Sequence, residues 1–135
     1  MFYEFTVTVP ITATQDDPVE QRMKLTKGVI HRVEVQFPIG TRALIHVQIY
    51  DDGHQIWPTN PDGNFNTDGY TIGWDEHYEI TSGHHELRAV CWSTADTFPY
   101  DIDIRFAMLE NTTALMLLRV IKGMSKMLKL MGIGA

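Results

Sequence analysis

Apolar and polar residues alternate along most of this chain, which is the period of a strand with one buried face. Tyr3, Phe5, Val7 and Val9 alternate with Glu4, Thr6 and Thr8 until Pro10 closes the run. Val19 to Leu25 repeats the pattern more weakly. Val29 to Phe37 is the clearest strand, placing Val29, His31, Val33, Val35 and Phe37 on one face. Ala43 to Tyr50 aligns Ile45, Val47 and Ile49, and Asp51-Asp52-Gly53 turns tightly into His54 to Trp57. Short strands are expected at Tyr70 to Gly73 and His77 to Ile80, with a turn at Asp75-Glu76 between them. Glu86 to Trp92 and Tyr100 to Leu109 complete a set of eight or nine.

Strands of this kind are polar on one face and need a second layer over the other. The expected fold is therefore mainly β: an antiparallel β-sandwich, of jelly-roll type, over residues 1-110.

The pattern changes after residue 110. Ala114, Leu117, Ile121, Met124, Leu128 and Met131 step by three and four, a heptad seam rather than a strand. Arg119, Lys122, Lys126 and Lys129 cluster on the opposite side. Thr112 or Thr113 can cap the start, and Gly132 and Gly134 can end it. Residues 111-135 are thus expected as a C-terminal helical arm, with the amphipathic helix over 113-131.

Charge divides the chain at the same place. The net charge is -6 over 135 residues, yet all 17 acidic residues fall at or before Glu110. Only seven Lys or Arg accompany them, a local charge of −10. The arm carries four cations and no acid. An acidic body argues against nucleic acid as a partner. A transmembrane span needs about 20 mainly apolar residues, and the cations interrupt this one. A membrane surface is the weaker fit, because the arm lacks the Trp or Phe anchors such helices use. A partner helix fits better: Leu117, Ile121, Met124, Leu128 and Met131 would pack on a partner while Arg119, Lys122, Lys126 and Lys129 meet acidic protein. The competing expectation is that the helix folds back onto its own sandwich.

Candidate chemistry is sparse. Cys91 stands alone in an apolar run and reads as a small core residue. Asp62, Asn64, Asn66 and Asp68 alternate in the long loop 58-69 as the first ligands of a calcium loop do. However, Thr67 stands where the turn glycine belongs and Gly73 where the bidentate glutamate belongs. His77, His84 and His85 lie near Asp75, Glu76, Glu79 and Glu86 without the spacing of a metal motif. His31 is expected as a core or interface residue. No cofactor is implied, and no nucleophile-base arrangement suggests an enzyme. Trp57 and Trp74, with loop Asp and Asn residues, are the candidates for an alternative function, a carbohydrate-binding module. The segment Met1 to Pro10 reads as a strand, without the charged and apolar regions of a signal peptide.

In overall plan, with a strand at the start, an alternating sandwich from Phe2 to Leu109 and an apolar C-terminal arm, the chain resembles the small jelly-roll capsid and decoration (cement) proteins of viruses and tailed phages. That resemblance implies a symmetric homo-oligomer, a trimer or higher, with arm and loop edges at its contacts. It implies a non-enzymatic structural protein, docked on copies of itself or on another structural protein, in a virion or the host cytoplasm.

Overall fold

The computed structural model describes residues 1–95, 97–130 and 132, with the backbone alone for 111–119 and 130. Eight strands form: β1 (Phe2–Val9), β2 (Val19–Leu25), β3 (Gly28–Gln36), β4 (Ile45–Asp51), β5 (His54–Trp57), β6 (Thr71–Ile80), β7 (His85–Ser93) and β8 (Tyr100–Leu109). Helix α1 (Asn111–Leu130) follows them. The strands make two four-stranded sheets, ordered β1-β8-β3-β6 and β2-β7-β4-β5.

The pairing is nested. The first strand pairs with the eighth, the second with the seventh, the third with the sixth and the fourth with the fifth, all antiparallel. The chain is a long ribbon folded at the β4–β5 hairpin, and the β3–β8 and β4–β7 pairings close each sheet. This strand order is a jelly roll.

Antiparallel pairing also sorts the connections. Loops 10–18, 37–44, 58–70 and 94–99 leave one end of the sandwich, called the loop end here. The short links 26–27, 52–53 and 81–84 leave the other, the hairpin end, together with the N-terminus and the start of α1.

Alternating residues fill the space between the sheets. Val7, Val9, Val33, Val35, Ile102, Ile104 and Phe106 come from the first sheet, and Met23, Leu25, Ile45, Val47, Ile49, Leu87 and Cys91 from the second. Phe106 is fully buried, with Phe5 and Trp57 rings 6.2 and 6.3 Å away. Burying each such side chain contributes about 1.5–3 kcal/mol.

Two details depart from the pattern read in the sequence. His31 is exposed, because the β3 register shifts between Ile30 and Arg32. The extra residue moves the inward face from Ile30 to Val33, and His31 leaves the core face. The two short strands expected around Asp75-Glu76 are one strand, β6. Both acids fit inside it because they take opposite faces. Asp75 turns outward to Arg32 across the sheet at 3.1 Å, while Glu76 turns inward to the indoles described below.

Candidate functional site

The helix carries the clearest unpartnered chemistry. Every described side chain from Val120 to Lys129 is exposed, so this stretch does not pack on the sandwich. Val120, Ile121, Met124, Met127 and Leu128 are 58, 61, 59, 62 and 43% exposed. At about 100° per residue they lie within an arc of about 120°. Lys122, Lys126 and Lys129 occupy the far side. Val120 and Met127 widen the heptad seam, and each sits one residue before a seam position, which strict heptad counting overlooked. Gly132, with φ 72°, ends the helix as its N–H bonds Lys129 O at 3.2 Å. The expected partner residues Leu117 and Arg119 lie outside the described side chains, and Met131 lies outside the described residues. Among the described residues no helix is long and apolar enough to cross a membrane.

The loop end is the second surface. Ile11, Ile39, Tyr70 and Phe98 are 44, 88, 63 and 61% exposed, one apolar side chain from each of its four loops. Hydrogen bonds tie these loops together. The buried Thr41 hydroxyl donates to Thr67 O at 2.7 Å, and the Gly40 N–H donates to Asp68 Oδ1 at 2.7 Å. Tyr100 donates its hydroxyl to Gly40 O, Thr94 N–H bonds Leu44 O, and Ser93 N–H bonds Ala13 O. Gly69, with φ 56°, lies against Ile39: a Cβ there would stand 2.9 Å from Ile39 Cγ1. No sequence period marks these apolar residues. Their only signal is position, within Pro38-Ile39-Gly40, Gly69-Tyr70 and Phe98-Pro99.

The outer sheet faces are polar. On the first, Thr6 and Thr8 donate to Asp103 and Asp101, and Arg105 pairs with Glu4 at 3.2 Å and with Glu34 at 3.8 Å. On the second, Arg22 and Lys24 lie 3.9 and 4.0 Å from Glu86. Arg88 lies over the Tyr50 ring and beside Glu20. It borders an open groove of about 350 Å³ with Gln48, Asp62 and Trp92.

The calcium-loop candidates take separate partners. Asn64 Oδ1 faces His46 Nδ1 at 2.7 Å and accepts from Asn66 Nδ2 at 2.8 Å. Asp68 is committed to Gly40, and Asp62 lines the groove. Among the described residues no group of three or more His, Cys, Asp or Glu could hold a metal ion.

Trp57 and Trp74 belong to the seal between β5 and β6, one edge strand from each sheet. Trp57 is buried, and its Nε1–H donates to Glu76 Oε2 at 3.0 Å. Trp74 donates to the same oxygen at 2.9 Å and stacks on Phe65, with centroids 5.0 Å apart. Trp57 therefore presents no open ring face, and Trp74 has one face occupied. Nearby, Asp51 accepts from the Tyr78 hydroxyl and lies 2.7 Å from His85 Nε2. Burial first, then the Asp51 bond and charge, push the Tyr78 pKa well up. Cys91 is fully buried, and burial pushes its thiol up to about 12.

No family model matches the chain, and no curated protein matches it. Solved structures similar to parts of it include the following three. Hydroxypropylphosphonic acid epoxidase from S. wedmorenis is 13% identical with a TM-score of 0.41, over 78% of this chain and 43% of that one. This chain therefore spans less than half the length of that protein. Infectious bursal disease virus, Gx strain, gives 11% and 0.36 over 79% and 32%. The Macrobrachium rosenbergii nodavirus P-domain gives 11% and 0.32 over 82% and 94%. With scores this low, the fold assignment rests on the strand order and register described above.

Proposed function

We propose that this chain is a non-enzymatic structural subunit, of the kind that decorates or completes a virion, and that it self-associates through α1. The observation that carries the reading is the apolar stripe of Val120, Ile121, Met124, Met127 and Leu128, held clear of a body whose own core is closed. A stripe of this width is the face a helix buries against another element. Leaving it in water forgoes about 1.5–3 kcal/mol for each large side chain. The sandwich supplies a rigid body whose sheet faces are charged and soluble, and the arm supplies adhesion.

Light scattering of the full chain beside an Ile121→Gln, Leu128→Gln variant tests this. The full chain is expected at a multiple of its 15.4 kDa mass and the variant at the monomer mass. A monomeric full chain overturns the reading.

A further inference from the structure

We infer that α1 of one copy docks on the loop end of a second copy, so that subunits join head to tail. This rests on the self-association proposed above and names the surface that receives the helix. The body exposes six large apolar side chains among the described residues, and all lie at its two ends. Met1 and Phe2 are at the hairpin end, where α1 itself starts, and Ile11, Ile39, Tyr70 and Phe98 are at the loop end. Between them the sheet faces expose no large apolar side chain among the described residues.

Charge selects the loop end as the acceptor. Setting aside Asp62, which lines the groove on the second sheet's outer face, its loops carry Asp16, Asp17 and Asp68 against Arg42, a charge of −2 among the described residues. The hairpin-end links carry Lys27 and Asp52 and balance to zero. The helix carries Arg119, Lys122, Lys126 and Lys129 with no acid, +4. Opposite charge ringing an apolar contact favours this pairing and steers its approach. Two α1 helices set side by side would instead bring +4 against +4.

Distance makes the acceptor another molecule. The helix leaves β8 at the hairpin end, and the ten residues of β8 separate that end from the loop end by about 33 Å. Exposure along 120–129 shows that the helix does not lie back along its own body. The receiving loops are already cross-linked through Thr41, Asp68 and Tyr100, so little conformational freedom is lost on docking. Joined head to tail, without reciprocal exchange between two copies, the subunits close into a ring or continue as a filament.

Two full-length variants test this by light scattering. One carries Ile39→Gln and Phe98→Gln at the loop end, the other Ile121→Gln and Leu128→Gln on the helix. Each alone is expected at the monomer mass, and the two mixed at twice that mass, since the mixture keeps one intact helix and one intact loop end. Unchanged thermal melting of each variant separates lost docking from lost folding, and Tyr70→Gln gives a second probe of the loop end. Assembly by the wild type is expected to weaken as salt rises, because screening removes attraction between opposite charges. If the loop-end variant assembles like the wild type while the helix variant does not, the head-to-tail inference falls and self-association stands. Strengthening with salt, the behaviour of like-charged helices, has the same meaning. If both variants assemble like the wild type, both readings fall. If the wild type is monomeric and sediments with anionic lipid vesicles, the occupant is a lipid surface and both readings fall.

Discussion

The sandwich and the helix treat apolar side chains in opposite ways. Between the sheets, Val33, Ile45, Ile104 and Phe106 are 0% exposed. On α1, Val120, Ile121, Met124 and Met127 are 58% exposed or more. Both segments are amphipathic by their own period, two for the strands and 3.6 for the helix. The difference lies in the available partner. Each strand finds its second layer within the chain, because the nested ribbon wraps one sheet over the other. The helix emerges at the hairpin end, after β8, and no layer among the described residues covers its 120–129 stretch. A core completed within one molecule makes stability; a face left open is, on the proposal above, what makes association.

The largest effect should separate the two regions most sharply. Phe106→Ala removes a fully buried ring and is expected to cost about 3–5 kcal/mol in urea unfolding. Met124→Ala removes a side chain of similar reach from the open face. It is expected to move monomer stability by no more than about 0.5 kcal/mol while weakening assembly. Equal destabilisation by both would mean that the helix belongs to the core.

Alkaline pH acts on the body through two titratable groups. Tyr78 and Cys91 hold their protons in the folded chain, whereas in the unfolded chain they release them near pH 10 and 9. Their contribution is complete below about pH 9. As pH rises further the unfolded chain loses protons that the folded chain keeps, so stability falls. The urea midpoint is expected to drop between about pH 9 and pH 11, and less steeply in Cys91→Ala. An unchanged slope in that variant would remove the buried thiol from the explanation.

The last effect belongs to the helix alone. A Cβ on Gly123 meets nothing within 4 Å. Gly123→Ala should therefore favour the helix by about 1 kcal/mol without touching the body. Circular dichroism at 222 nm should deepen while the body's melting temperature stays in place.

How much of this was legible follows from the same contrast. Strand alternation exposed the sandwich, and a switch to steps of three and four exposed the helix, because both patterns separate an apolar face from a polar one. His31 escaped because a bulge changes the inward face without leaving a mark in residue type. Asp75-Glu76 looked like a turn because two adjacent acids suit solvent. What makes Glu76 acceptable inside is a pair of indole N–H groups, and Trp57 lies 19 residues away in the chain. The loop end was hidden for a related reason. Ile11, Ile39, Tyr70 and Phe98 belong to four separate turns, and only the strand order brings those turns to one end.

The central claim is that α1 is covered by another molecule, and amide hydrogen exchange across a range of protein concentrations tests it most directly. An uncovered helix of this length, weakened by Gly123, is marginal in water. Protection at 120–129 is therefore expected to rise with concentration, while amides of β3 and β8 exchange at a constant slow rate. Helix protection that is independent of concentration would contradict the claim.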